Sequence, residues 1–325
     1  MGRYLNPGME SFEKSVNSEI YVDKTGLVGY TNRVMNTVQG YVCVSRPRRF
    51  GKSMAANMLT AYYSRGCDSR EIFSKFEISE SPDFEKYRNK YNTIFLNMQE
   101  FLSRSDSVEA LVDRVKKLVL RDLKREYPDV DYFDDTDLVE SMQDIYETEK
   151  CPFVVIIDEW DCIFREFRQN KEAQEKYLYF LRDLLKDKAC IHLAYMTGIL
   201  PIKKYGTHSA LNMFDEFSMI NPGPLAPYVG FTEVEVEYLC HKYRMDMEEV
   251  KAWYDGYSFS MAASVYSPRS VVNSMLFGKI ENYWNQTETF EALQVYIDMN
   301  FDGLKDDVLS MIAGERIPVN TGSFT

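Results

Sequence analysis

The chain has 325 residues, of which 45% are hydrophobic and 27% are charged, as is typical of a folded globular protein. Its net charge of −12 argues against a broad surface for nucleic acid or for an anionic membrane. The sequence contains no run of about 18 apolar residues, so we expect no membrane span. The length favours two domains.

The cysteines and the N-terminus favour a cytoplasmic location. The six cysteines are scattered without a CxxC pair, so we expect free thiols in a reducing compartment. Residues 1–14 lack the apolar core of a signal peptide. The three histidines lie far apart, so a structural zinc site is not expected.

Short apolar runs separated by helical patterns fill residues 1–222 and predict an α/β fold, a parallel sheet with crossover helices. The predicted strands are, in chain order, 40–45, 93–98, 153–158 and 191–197, with a weaker fifth at 216–220. The predicted helices are 53–65, 107–125 and 171–188, and the polar segment 80–91 is predicted to be a loop.

A second domain is predicted over residues 223–325, because three prolines and a glycine in residues 221–227 interrupt any regular element. Its first helix is expected after Thr232 as N-cap, with Glu235 at the capping-box position. The remainder is predicted to be mainly helical. The sequence ends on polar residues without a closing element, so we expect that it was cut from a longer protein.

The segment CVSRPRRFGKSMAANML, residues 43–59, contains Gly51-Lys52-Ser53, which ends the phosphate-binding pattern G-x-x-x-x-G-K-[ST]. These three residues alone would occur by chance roughly 0.1–0.2 times in a chain of this length. Here a predicted strand precedes them and a predicted helix follows, as such a loop requires. Loop amides and the Lys52 ammonium would bind phosphates, the Ser53 hydroxyl would bind Mg²⁺, and Gly51 allows close backbone approach.

Arg46 stands where that pattern has its first glycine, and Arg48 and Arg49 follow it. Guanidinium groups bind phosphate oxygens in bidentate fashion, so these arginines could add to charge neutralisation. Alternatively, any of them pairs with carboxylates of this acidic chain; contact with nucleic acid ranks last. The loop residues assigned to the nucleotide are Arg46, Pro47, Arg48, Arg49, Phe50, Gly51, Lys52, Ser53 and Met54.

The apolar strand 153–158 ends in Asp158-Glu159. A carboxylate at a strand tip beside the phosphate loop holds Mg²⁺ directly or through water, a role we assign to Asp158 together with Ser53. Glu159 is placed to orient or deprotonate the attacking water, and Thr197, at the end of another strand, to sense the γ-phosphate or position that water. The alternatives are a strand that simply ends in polar residues and a threonine that only ends a strand.

The strings FEKSVNSEIYVDKTGLV, VSRPRRFGKSMAANML and VVIIDEWD resemble the bacterial AAA-ATPase-like family, in which Arg46 at the first-glycine position is the rule. Further matches such as WYDGYSF extend the resemblance over roughly residues 10–320. It implies an additional-strand (ASCE-type) P-loop NTPase core with helices on both faces of the sheet, followed by a winged-helix-like domain. It also implies ATP and Mg²⁺ as cofactors and supports the roles given to Lys52, Ser53, Asp158 and Glu159.

Two features differ from the family pattern, namely the TGILPIKK segment and the point where the sequence stops, and a third, the YVDKT segment, has no assigned role. It has TGILPIKK (197–204) where many relatives have an Arg-Ile-Ser-Lys type string, which leaves a sensor role for this segment open. The segment YVDKT (21–25) is expected near the nucleotide or the phosphate loop, without an assigned role. Relatives usually continue into a nuclease-like domain of the PD-(D/E)XK type, and we expect these residues to stop before it.

The leading hypothesis is an ATP-binding and ATP-hydrolysing switch, with Lys52, Glu159 and Thr197 as its catalytic residues. The alternative is a nucleotide-dependent module that binds DNA or a partner protein through the C-terminal domain with little turnover. A kinase-like phosphoryl transferase is a weaker third option. Arg165 and Arg269 are candidates for an arginine finger acting in trans, and the oligomeric state is left open.

Overall fold

A computed structural model of the chain describes residues 2–167, 169–202, 210–219, 221–259 and 262–283, together with residues 310 and 313. Its centre is a sheet of five parallel strands in the order β2-β3-β4-β1-β5. The strands are β1 (Tyr41–Ser45), β2 (Asn92–Asn97), β3 (Phe153–Asp158), β4 (Ile191–Gly198) and β5 (Asp215–Phe217). The predicted α/β fold is confirmed, and β4 is the additional strand between β1 and β3.

Helices cover both faces of this sheet. They are α1 (Glu10–Val16), α2 (Gly26–Val34), α3 (Lys52–Tyr63), α4 (Arg70–Phe73), α5 (Phe84–Tyr87), α6 (Met98–Leu102), α7 (Val108–Glu126), α8 (Leu138–Glu149), α9 (Cys162–Glu166) and α10 (Lys171–Leu185). Side chains of β3 alternate between the two faces: Val155 and Ile157 pack with α7 and α10, and Val154 and Ile156 pack with α3. Every residue of β3 is buried, as expected for a central parallel strand.

Two of the predicted boundaries in this core were wrong. The segment 80–91 is not only loop, because Phe84 is buried in the core and begins the single helical turn α5. The fifth strand ends at Phe217, since the N–H of Ser218 donates to the carbonyl of Asn221 in a turn. Residue 220 of that prediction lies outside the described residues.

A smaller unit, residues 231–283, follows and is called the C-terminal unit below. It contains the helices α11 (Glu233–Tyr243), α12 (Met247–Tyr254) and α13 (Pro268–Phe277) and the strands β6 (Phe231–Thr232), β7 (Asp255–Phe259) and β8 (Ala262–Tyr266). The strands form an antiparallel sheet in the order β6-β8-β7, which the expectation of a mainly helical segment did not include. The predicted capping box is present at the start of α11.

Apolar side chains of the three helices and the small sheet form a hydrophobic cluster of their own, and Ile20 from the N-terminal part of the chain joins it. Beyond residue 283, only residues 310 and 313 of the predicted second domain are described. Among the described residues, no helix combines the length and the apolar character needed to cross a membrane.

Candidate functional site

The phosphate loop, residues 46–53, connects the end of β1 to the start of α3. Its backbone is left-handed at Arg49 (φ 70°) and at Gly51 (φ 86°) but not at Phe50 between them. Such an alternation points successive N–H groups to one side, which is the geometry of anion-binding nests. A Cβ on Gly51 would meet no heavy atom within 4 Å, so the glycine is required by its backbone conformation and the space beside it is open.

Lys52 begins α3 and folds its side chain back across the loop. Its ammonium donates to the carbonyls of Arg46 and Pro47 at 3.0 and 2.9 Å, which uses two of its three donors. Burial lowers the pKa of Lys52, while the negative charges of Glu159 and Asp158 oppose that shift. The loop therefore holds a buried positive charge at its centre, with acidic groups nearby.

Asp158 and Thr197 meet at the ends of β3 and β4. Both are fully buried, and the Thr197 hydroxyl donates a short hydrogen bond to Oδ1 of Asp158. The other oxygen, Oδ2, is buried and has no hydrogen-bond partner among the residues that the structure describes. An unsatisfied buried carboxylate oxygen is costly, so this atom fits a ligand of a cation or of an ordered water.

Glu159 follows directly and has left-handed backbone geometry, with φ of 57°. Its carboxylate forms an ion pair with Arg165 of α9, which also approaches Asp161 at 3.5 Å. Burial raises the pKa of Glu159, while the positive charges of Arg165 and Lys52 oppose the rise. Arg165, a candidate for action in trans, is thus placed against an acidic residue of its own chain.

Asp161 is a site residue that the sequence analysis did not assign. It is fully buried, and its Oδ2 accepts hydrogen bonds from the N–H groups of Ile199 and Leu200 at 3.0 and 2.8 Å. Asp161 therefore fixes the backbone that follows Thr197. The signal was available in the sequence, since Asp161 is the last residue of DEWD. Within TGILPIKK, residues 203 and 204 lie outside the described part of the chain.

Arg46, at the position of the usual first glycine, lies on the sheet side of the loop. It is 1% exposed, and its guanidinium donates to the carbonyls of Ser45 and Phe217 at 3.0 and 2.7 Å. Burial lowers its pKa to about 10. Its acceptors are thus backbone carbonyls of β1 and β5. The two partners considered from the sequence were a nucleotide phosphate and a carboxylate of the same chain.

A cleft of about 1100 Å³ opens beside the loop, large enough for a nucleotide. Of the predicted residues, those lining it are Arg48, Arg49, Phe50, Gly51, Lys52, Ser53, Met54 and Glu159. The side chains of Asp158 and Thr197 are buried behind this lining, and Arg46 and Pro47 are not part of it.

The opposite wall of the cleft comes from two distant parts of the chain. Tyr21, Val22 and Lys24 come from the YVDKT segment, Tyr228 from the residues just before the C-terminal unit, and Arg269 from α13 of that unit. Arg269, the other candidate for action in trans, is exposed and lines the cleft of its own chain. The position of the YVDKT segment beside the phosphate loop was expected from the sequence, but the contribution of Tyr228 to the same wall was not.

Among solved structures, the chain is similar to the Aeropyrum pernix ORC2 protein (ADPNP-ADP complexes), with 12% identity, a TM-score of 0.37, and coverage of 69% of this chain and 54% of that one. An uncharacterized protein in the vnfD 5′ region of Azotobacter chroococcum mcd 1 is 25% identical over 298 residues, 87% of this chain. The chain spans about half of that relative's length, 54%. The profile of the family described as "Predicted AAA-ATPase" matches residues 6–207, and the chain belongs to this AAA-ATPase-like family.

Proposed function

We propose that the chain binds MgATP in the cleft, hydrolyses it, and acts as a switch in which the nucleotide state moves the C-terminal unit. The single observation that carries this proposal is the convergence of Lys52, Ser53, Asp158 and Glu159 at the carboxyl ends of the parallel strands β1 and β3, which flank β4. Membership of the AAA-ATPase-like family supports the same chemistry.

The loop would bind the phosphates through its backbone. Its left-handed residues Arg49 and Gly51 orient N–H groups toward the open side, and the N-terminus of the 12-residue helix α3 adds a positive dipole end. Lys52 would exchange one or both carbonyl acceptors for phosphate oxygens. Arg48 and Arg49 line the same side and bring further positive charge to it.

Ser53 and Asp158 are the residues that would hold Mg²⁺. Ser53 is exposed and lines the cleft, and the buried Oδ2 of Asp158 has no hydrogen-bond partner among the described residues, so both would be available to the ion, directly or through water. The hydrogen bond from Thr197 fixes the Asp158 carboxylate and leaves Oδ2 for this contact. Bound Mg²⁺ neutralises charge on the phosphate oxygens.

Glu159 is the proposed general base. It lines the cleft, and its raised pKa makes the carboxylate a better proton acceptor. Because the carboxylate is paired with Arg165, it reaches an attacking water only when this ion pair loosens. Arg165 also lines the cleft, so a phosphate oxygen and Glu159 compete for the same guanidinium.

The pairing of Glu159 with Arg165 also favours the second candidate, a nucleotide-dependent module that binds DNA or a partner protein with little turnover. In this case the base stays restrained and the bound nucleotide alone sets the conformation. Charge does not favour a broad nucleic-acid surface, since the net charge is −12.

The experiment compares ATP binding and phosphate release of the wild type and of Glu159→Gln. We expect Glu159→Gln to bind MgATP as the wild type does and to lose turnover by about 100-fold or more. Measuring turnover with and without DNA at several salt concentrations separates the two candidates, because phosphate contacts of DNA weaken steeply with salt. Binding without measurable turnover in the wild type would select the binding module.

A further inference from the structure

The segment that contains YVDKT, residues 20–25, is called the strap below; it leads into α2 at Thr25, and its alternate side chains face different parts of the protein. Ile20 belongs to the hydrophobic cluster of the C-terminal unit, and Val22 packs against that cluster. Tyr21 faces the other way and packs its ring against Phe12 and Phe76 of the core, at centroid distances of 6.1 and 5.3 Å. Such a two-residue period is that of an extended chain held on both faces.

Polar groups fix the strap to the core on the same side as Tyr21. The carboxylate of Asp23 accepts from the N–H of Glu77 at 2.8 Å, and the Thr25 hydroxyl accepts from the N–H of Ile78 at 3.2 Å. The other oxygen of Asp23 accepts from the N–H of Thr25 at 2.8 Å, which holds the local turn into α2. The odd-numbered residues are therefore anchored to the core.

Lys24 makes the opposite connection. Its ammonium donates to both carboxylate oxygens of Glu235 at 2.6 Å and to the carbonyl of Pro227 at 2.7 Å. Only 14% of the Lys24 side chain and 24% of the Glu235 side chain are exposed, so this ion pair is largely shielded from water. Glu235 is also the acidic residue of the α11 capping box, where it accepts from the N–H of Thr232.

Close packing of Gly26 against Tyr228 adds a second contact next to the ion pair of Lys24. A Cβ on Gly26 would lie 2.4 Å from the ring of Tyr228, so only glycine allows this contact. Tyr228 follows Pro227 directly, and both Tyr228 and the strap line the cleft. The strap is therefore at once part of a wall of the cleft and one of the contacts between the core and the C-terminal unit.

We propose that the strap couples occupation of the cleft to the position of the C-terminal unit, with Lys24 as the positioning residue. This inference rests on the proposed function, since the ligand in the cleft is MgATP. A nucleotide that contacts the strap holds it in place, and the ion pair of Lys24 with Glu235 passes this constraint to α11. Without the ion pair, the wall that contains Tyr228 and Phe231 is no longer held over the nucleotide.

The test is a double-mutant cycle of Lys24→Met and Glu235→Gln in the full chain. Gln at position 235 keeps a capping-box acceptor for α11 and removes the charge. We expect each variant to weaken MgATP binding about tenfold, within the range typical of coupled sites, and to lose the nucleotide-induced protection of α11 from hydrogen exchange. The double variant should be no weaker than Lys24→Met, because both changes break one interaction.

The matched control is Lys251→Met. It removes the ion pair between Lys251 of α12 and Glu233, which lies in α11 like Glu235, and it leaves the strap contacts in place. We expect it to bind MgATP as the wild type does. A folded Lys24→Met variant with wild-type affinity and wild-type α11 protection would overturn the coupling and leave the proposed function intact. A wild type that fails to bind MgATP would overturn the proposed function, and the coupling with it.

Discussion

The two walls of the cleft are built in different ways. The phosphate-loop wall consists of short contiguous motifs at the carboxyl ends of β1 and β3, with β4 between them, so Lys52, Asp158 and Glu159 are brought together by strand order alone. The opposite wall joins the strap to the C-terminal unit through residues as far apart as Lys24 and Glu235, which are 211 positions apart in the chain. We expect changes in the first wall to affect phosphate binding and chemistry, and changes in the second wall to affect the coupling to the C-terminal unit and, through it, affinity.

The largest effect in this comparison is expected at Asp158, which belongs to the first wall. Asp158→Asn keeps the hydrogen-bond acceptor for Thr197 and removes the charge proposed to hold Mg²⁺. Turnover should fall about 100-fold, the scale of losing an electrostatic contact to the reacting group. The measurement is phosphate release against Mg²⁺ concentration, with EDTA as the metal-free reference. A variant whose turnover and Mg²⁺ dependence match those of the wild type would remove Asp158 from the metal site.

An effect of intermediate size is expected at Arg46, and it should appear in stability. Arg46 lies in the loop sequence, but its guanidinium donates to carbonyls of β1 and β5. Arg46→Gly, which restores the usual glycine, should lower the free energy of unfolding by about 2 kcal/mol, since two charged hydrogen bonds are lost. The affinity of the folded variant for MgATP should change little. Arg48→Ala is the contrasting variant, because Arg48 lines the cleft; it should lower affinity and leave stability nearly unchanged.

Urea unfolding and nucleotide titration of both variants measure the two quantities separately. If Arg46→Gly left stability unchanged and weakened MgATP binding instead, Arg46 would be a phosphate ligand and not a structural residue.

The smallest effect is expected at Arg165, whose charge opposes the rise in the pKa of Glu159. Arg165→Ala removes this opposition, so the pKa of Glu159 should rise further. A general base acts in its deprotonated form, so the acid limb of the turnover profile should move to higher pH with it. The pH dependence of turnover at saturating MgATP measures this shift. If the acid limb stayed in place or moved to lower pH, Glu159 would not be the group whose protonation limits turnover.

Much of the first wall could be predicted from the sequence. The strand before the loop, the helix after it and the carboxylates at the tip of β3 are local patterns, and parallel strand order does the rest. The direction of the Arg46 side chain could not be predicted, because its acceptor on Phe217 lies 171 residues away. A guanidinium in a phosphate loop gives no local sign that it turns toward the sheet.

The second wall was largely beyond prediction. YVDKT is recognisable as a motif, but the partner of Lys24 is Glu235. Glu235 is the capping-box residue of α11, so the sequence gives no reason to expect a second, long-range contact from it. The residue pattern did not predict the strands of the C-terminal unit, since they are short and pair only through the folded chain; only the resemblance, through its winged-helix-like domain, implied a small sheet. The helix α8 was missed for another reason: Leu138, Met142 and Ile145 do recur at helical spacing and could have been found.

The central claim, that the cleft binds MgATP through the phosphate loop, is tested most directly by isothermal titration of MgATP into the wild type and Lys52→Ala. Lys86→Ala is the matched control, because Lys86 is an exposed lysine of α5 that does not line the cleft. The wild type and the control should bind one MgATP per chain with equal affinity, and Lys52→Ala should show no saturable binding. Equal binding by all three proteins would contradict the claim.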